Sequence, residues 1–100
     1  MKINIASVAE IKATKIISSK DLVLMARSIA GKKAVVEIDG KVTLDEFIMT
    51  ARSALAIDPS IEFSDIIIKN DTVILDKSKN LIENLVKDGT SLKIVLKRIV

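Results

Sequence analysis

The sequence predicts a small α+β domain in which a mixed β-sheet packs on one main helix. Three patterns carry this prediction: a capped amphipathic segment in mid-chain, a pair of short strands joined by a tight turn, and an alternating apolar strand near the C-terminus. The chain has 100 residues, 49% apolar and 29% charged, which is the size and composition of one globular domain.

The best-defined element is a helix from Thr43 to about Ile57. Thr43 and Glu46 have the spacing of a capping box, and Val42 and Phe47 fit a hydrophobic staple. Pro59 disfavours helical geometry in the residue before it, so the helix is expected to end ahead of it. Apolar residues recur at helical spacing in this segment, at Leu44, Phe47, Ile48, Ala51 and Leu55.

Three further elements follow this helix. Residues 66–68 and 72–75 read as strands joined at Asn70-Asp71, two residue types that tolerate positive φ. Asn80 and Glu83 form a second capping box before a short helical segment that Gly89 would end. The last strand is predicted from the alternation of Leu92, Ile94 and Leu96 with Lys93, Val95 and Lys97.

The N-terminal third allows two interpretations. Residues 1–6 and 11–17 are β-rich and predict one or two short strands. Residues 18–31 fit a helix, which Ser19 would cap and Gly31 would end, with an apolar stripe at Leu22, Met25, Ala26 and Ile29. Residues 22–29 also fit a strand that turns at 30–32 onto a second strand at 34–38. Local propensity slightly favours the helix.

The composition argues against catalysis. The chain contains no Cys, His, Tyr or Trp, which removes thiol nucleophiles, disulfides, the usual general base and the common zinc sites. Asp45 and Glu46 fit the first turn of a helix, where acids complement its dipole. We therefore expect no enzymatic activity, no catalytic residues, no cofactor and no metal site. The remaining candidates are explained as turn residues: Asp65, Asp71, Asp76 and the segment Asp39-Gly40-Lys41.

The charge is unevenly distributed along this small basic protein. The net charge is +3, but residues 1–33, 34–86 and 87–100 have balances of +5, −5 and +3. No apolar run approaches the roughly 20 residues of a membrane-spanning helix, and Met1 to Val8 lacks the features of a secretion signal. We expect a soluble, cytoplasmic protein without a membrane partner.

Five segments have the residues and spacing of a known family: Ala30-Gly31-Lys32, Ile38 to Thr43, Thr43 to Phe47, Asn80-Leu81 and Ser91 to Lys97. With these segments, and with 22–29 as a strand, the order of elements from residue 22 onward resembles the ubiquitin-like β-grasp family. The resemblance covers residues 22–100 and leaves 1–21 as an N-terminal extension that adds strands to the sheet or covers part of it. It implies a first hairpin with Leu24, Ala26, Ala34, Val36 and Ile38 pointing inward.

The resemblance also implies a binding surface on the sheet. The positions that match the family's apolar recognition patch are Ile29, Ile67 and Val95. They would be surrounded by basic side chains on the same face, at Arg27, Lys33, Lys93 and Lys97. Family members that conjugate to proteins or carry sulfur end in Gly-Gly, whereas this chain ends Lys97-Arg98-Ile99-Val100. The resemblance therefore implies a non-conjugating protein-interaction module, or a small subunit of a complex, whose partner has an acidic or apolar surface.

Two other functions stay open at this point. The basic segments Lys32-Lys33 and Lys93 to Arg98 could contact nucleic-acid phosphates, although only two aromatic residues, both Phe, are present for base stacking. Self-association is the other, with the N-terminal strands pairing between subunits.

Overall fold

Five strands form one mixed sheet that packs against two helices. The computed structural model describes all residues, Met1–Val100. In chain order the elements are β1 (Lys2–Lys12), α1 (Ser19–Ile29), β2 (Lys33–Glu37), α2 (Leu44–Ala54), β3 (Asp65–Asn70), β4 (Val73–Ile74) and β5 (Ser91–Ile99). The strand order is β2-β1-β5-β3-β4, with β1 and β5 parallel and the other pairs antiparallel. The predicted α+β class with a mixed sheet is confirmed.

Strands β1 and β5 are the centre of the sheet. They pair in register from Asn4 opposite Ser91 to Lys12 opposite Ile99. Because successive side chains of a strand point to opposite faces, one face collects the apolar alternate residues of both strands. These side chains are buried, as predicted for β5, and they include Ile3, Ile5, Leu92, Ile94 and Leu96.

Residues 19–29 form a helix, so the strand alternative for Leu22 to Ile29 is wrong. The hydroxyl of Ser18, one residue before the predicted cap, accepts a hydrogen bond from the Asp21 N–H at 3.2 Å. Gly31 follows the helix at φ +73°, a conformation that favours glycine. The buried or half-buried residues of α1 include the predicted stripe of Leu22, Met25, Ala26 and Ile29. Local capping and periodicity therefore decided this segment.

The first antiparallel pair is consequently β1 with β2, and α1 lies between them in the chain. The register runs from Lys2 opposite Glu37 to Ala6 opposite Lys33. Residues 2–12, expected in an N-terminal extension that adds strands to the sheet or covers part of it, thus form a strand between β2 and β5, and the expected boundary at residue 22 falls inside α1. Leu24, predicted to point inward, is 54% exposed, because it lies on the outer side of a helix.

Helix α2 lies over the sheet and closes the core. The Thr43 hydroxyl accepts the Glu46 N–H at 3.1 Å, which confirms the predicted cap. Leu44, Phe47 and Ala51 are buried and Ile48 is half-buried, again as predicted. The helix ends at Ala54, three residues earlier than predicted.

A Schellman motif causes this early end. Ala56 has φ +52°, its N–H donates to the Ser53 carbonyl, and the Ile57 N–H donates to the Arg52 carbonyl, both at 3.1 Å. Ile57 is thereby turned into the core, where it is buried. Glycine normally occupies the left-handed position, because a Cβ is unfavourable there.

We expect Ala56→Gly to raise the free energy of unfolding by about 0.5–1 kcal/mol. Removing the Cβ relieves the steric strain at positive φ, and this gain exceeds the stability lost because glycine increases the conformational entropy of the unfolded chain. Urea denaturation measures this change. Ala54→Gly, two residues earlier in the helix, is the control and should be destabilising by about 0.5–1 kcal/mol. Equal effects of the two variants would contradict this explanation of the helix end.

The region after α2 follows the predicted turns more closely than the predicted helix. Asp71 has φ +58°, as expected for the turn between β3 and β4. Asn80 and Glu83 exchange the two hydrogen bonds of a capping box, at 3.1 and 2.8 Å. Residues 81–85 nevertheless form turns, and Leu85 is 80% exposed at φ +62°. The predicted helical segment is therefore reduced to one turn, in which the Asn84 N–H donates to the Asn80 carbonyl at 3.1 Å. It ends at Leu85 and not at Gly89, because the Val86 N–H donates to the Leu81 carbonyl at 3.0 Å past the left-handed Leu85.

Candidate binding face of the sheet

One face of the sheet is covered by the core and the other, the open face, is not. The core face contacts α2 through a cluster that includes Phe47, Leu92 and Ile94. The open face consists of the alternate residues of the five strands, most of which are exposed, whereas the buried residues of both helices belong to the core cluster. Its apolar members are Ala6, Val8, Val35, Ile67, Ile74, Val95 and Ile99, and its lysines are Lys2, Lys12, Lys33, Lys69, Lys93 and Lys97.

An apolar row crosses the centre of the open face. Val8, Val95 and Ile67 are opposite one another on β1, β5 and β3. Val95 is only 3% exposed, because it has a neighbouring strand on each side and a lysine two residues away in each direction along β5. Val8 is 37% exposed and Ile67 is half-buried. Val8 and Ile67, at the two ends of the row, are therefore more accessible to a partner than Val95 in the middle.

A row of lysines runs beside the apolar row. Lys33 is opposite Ala6, Ala6 is opposite Lys93, and Lys93 is opposite Lys69, so the row spans four strands. Neighbouring strands lie about 4.8 Å apart, which keeps these ammonium groups on one band of the surface. None of the three lysines forms a salt bridge. This band is consequently a concentration of uncompensated positive charge.

The opposite side of the apolar row is electrically balanced. Glu10, Lys97 and Asp65 are in register across β1, β5 and β3, and Lys97 Nζ lies 3.5 Å from a Glu10 carboxylate oxygen. Asp65 pairs with Lys77 at 2.8 Å. The hydrogen bond from Lys77 holds the pKa of Asp65 below its ordinary value. The positive field of the open face is therefore strongest along Lys33, Lys93 and Lys69.

We expect Lys77→Ala to raise the pKa of Asp65 toward its ordinary value. A carboxylate with a depressed folded-state pKa adds stability above the unfolded-state pKa and loses it as the pH falls through the folded-state value. At neutral pH the variant should thus lose the part of this stability that Lys77 provides, while the Ile66 N–H and the charge of Lys97 still favour the ionised carboxyl. NMR titration of the Asp65 carboxyl carbon measures the shift. Lys79→Ala is the control, because Lys79 makes no salt bridge, and an unmoved Asp65 in Lys77→Ala would contradict this assignment.

A shallow groove with a volume of 730 Å³ lies on the part of the open face that contains Lys33 and Lys93. It crosses the sheet from β2 to the turn after β3, and apolar side chains provide part of its floor. Val35, in its wall, is 64% exposed. The residues that give the groove its polar and charged lining are Asn4, Lys33, Asn70, Asp71, Ser91 and Lys93.

The structure places five of the seven predicted binding residues on this face. They are Lys33, Ile67, Lys93, Val95 and Lys97. The placement of Ile29 is wrong: the residue is fully buried in the core, since it lies on the inner side of α1. Arg27 is in the last turn of α1 and not in the sheet. Both misplacements follow from treating residues 22–29 as a strand.

The sequence-based prediction did not identify several residues of the open face. Lys69 completes the lysine row, and Val8, Val35 and Ala6 extend the apolar surface. Their alternation with buried neighbours is visible in the sequence, but the face to which each strand contributes depends on the register of β1. An alternating pattern running through the whole of 2–12 was the available signal.

Comparison with known proteins finds no matching family model, no similar curated protein and no similar solved structure. Neither helix is long and apolar enough to cross a membrane.

Proposed function

We propose that this chain is a non-catalytic protein-binding domain of the ubiquitin-like β-grasp type, which docks its partner on the open face. The observation that carries the proposal is an apolar row beside three unpaired lysines, on a face that neither helix covers. The β-grasp assignment is supported by the strand order β2-β1-β5-β3-β4, the parallel central pair and the position of α2 after β2.

The main departure from that family lies between the first two strands. In the family these strands are joined by a tight turn, whereas here residues 13–32 contain helix α1. The sheet order is compatible with such an insertion, because β1 and β2 still pair antiparallel. With α1 as an insertion between the first two strands, the resemblance to the family extends over the whole chain and not only over residues 22–100.

The open face is suited to a partner that is both apolar and acidic. Val8, Ile67 and Val35 supply exposed apolar area, which gives affinity when a partner removes it from water. Lys33, Lys93 and Lys69 would steer acidic side chains to that area and raise the association rate. The mechanism is surface docking, with no group transferred.

A protein partner fits this face better than nucleic acid. Glu10, Glu37 and Asp65 lie on the same face as the lysines and would repel a continuous phosphate backbone. Neither Phe can stack on a base there. Phe47 is buried in the core, and Phe63 lies outside the face, with its ring centroid 5.2 Å from Arg52 Cζ. We expect no measurable affinity for single-stranded or duplex oligonucleotides at low salt. A tight complex whose affinity falls steeply with salt would favour nucleic acid instead.

Affinity capture with cross-linking tests the docking face. We expect Val35→Asp and the double variant Lys33→Glu/Lys93→Glu to lose the partner that the wild-type chain captures, by about tenfold or more for a desolvated contact. Met49→Asp and Lys41→Glu are matched controls, because both residues are exposed and lie outside the open face. Equal capture by the face variants and the controls would refute the proposal.

A further inference from the structure

Strand β1 extends well beyond its edge partner β2. The β1–β2 register ends at Ala6 opposite Lys33, and the last contacts are made by Ser7. The Ser7 N–H donates to the Lys32 carbonyl and the Gly31 N–H donates to the Ser7 carbonyl, both at 2.9 Å. From Val8 to Lys12, β1 has a strand neighbour on one side only, β5.

The backbone of this overhang has an unpaired edge. Even-numbered residues bond toward β5, as shown by Asn4 N–H donating to Thr90 and Val100 N–H donating to Lys12. The odd-numbered residues must therefore point to the opposite side, and Thr14 N–H, which donates to Val100, continues the same alternation. Helix α1 packs against β1 but makes no hydrogen bond to this edge. The backbone groups without a partner belong to Ala9, Ile11 and Ala13.

An unpaired strand edge is a template for another strand, and the side chains here match a second copy of themselves. The segment Ala9-Glu10-Ile11-Lys12-Ala13 is self-complementary when read antiparallel about Ile11. In that register the two Ile11 residues are opposite each other on the axis. Ala9 is opposite Ala13 and Glu10 is opposite Lys12, and each of these two pairs occurs twice. Opposite charges directly across an antiparallel pair are stabilising, and both charged residues are exposed on the open face.

We propose that two copies of this chain associate through β1, antiparallel about a two-fold axis at Ile11. Pairing of the three odd-numbered residues on each strand would form about six hydrogen bonds. The interface is isologous, so it closes at a dimer and produces one continuous sheet of two copies. The two open faces then lie side by side on the same surface, which would let the dimer bind a partner with two sites more tightly than one copy does.

Sedimentation of the whole chain from 10 µM to about 1 mM tests the dimer, a range chosen because so short an interface is weak. We expect a concentration-dependent dimer for the wild-type chain and a monomer for Ala9→Pro. Proline removes an N–H that faces the free edge and leaves the bonds to β5 intact. Val35→Pro is the matched control: Ala34 and Val36 face β1, so the Val35 N–H faces the outer edge of β2, and this variant should stay dimeric.

A charge exchange tests the register. Glu10→Lys should weaken the dimer about tenfold, because two attractive pairs become repulsive. The double variant Glu10→Lys/Lys12→Glu should restore it, since each pair is then attractive again. Circular dichroism checks that every variant is folded. A wild-type chain that stays monomeric at 1 mM, a dimer unaffected by Ala9→Pro, or a failure of the double variant to restore association would overturn the proposal.

Discussion

Replacing Phe47 by Ala is expected to lower the free energy of unfolding by about 3–5 kcal/mol, the largest effect of any single core truncation in this chain. Phe47 is fully buried on the inner side of α2 and is the largest of the fully buried side chains. Truncation loses its burial and also leaves a cavity, because the long central strands cannot close onto it without breaking their register. Urea denaturation followed by circular dichroism measures the change.

Met49→Ala is the control for this experiment. Met49 is two residues away on the same helix but 72% exposed, so its truncation should change stability by less than about 0.5 kcal/mol. Since a domain of this size is stable by only about 5–15 kcal/mol, Phe47→Ala should leave a marginally folded protein. Similar losses in both variants would mean that α2 does not close the core as described.

Val95→Asp is expected to lower the free energy of unfolding by about 3 kcal/mol or more, because it places a carboxylate at a position that is 3% exposed. Val8 and Ile67, directly opposite on the neighbouring strands, offer the carboxylate no hydrogen bond. The ammonium groups of Lys93 and Lys97 on the same face offset only part of its desolvation. Denaturation at neutral pH measures the loss. At lower pH the loss should shrink, because a buried carboxyl is tolerated better when it is protonated.

Val35→Asp is the matched control on the same face. Val35 is 64% exposed on the edge strand β2, so the same substitution should cost less than about 1 kcal/mol. If Val95→Asp were as mild as Val35→Asp, the open face would have to be more loosely packed than its register implies. Val35→Asp is therefore the better variant for a binding test, because loss of a partner in Val95→Asp could result from unfolding alone.

The sequence by itself determined the elements whose causes lie within a few residues. The Thr43 cap, the apolar stripe of α2, the turn at Asp71 and the alternation of β5 were all predicted correctly. Each depends on hydrogen bonds or periodicity inside one segment, so no distant partner could override it. The helix formed by residues 19–29 belongs to the same class, since its capping and its stripe were visible locally.

Only the tertiary structure decided which strands are neighbours, and with them the binding face. The sequence predicted that residues 2–12 lie in an N-terminal extension, whereas the parallel register with β5 places them at the centre of the sheet. That register puts Lys93 between Lys33 and Lys69 and puts Val95 between Val8 and Ile67. Pairing between residues more than 80 positions apart depends on loop closure and on burial of a shared face, and neither is encoded in a local pattern. For the same reason the sequence predicted that Val95 alternates outward but not that its neighbours bury it.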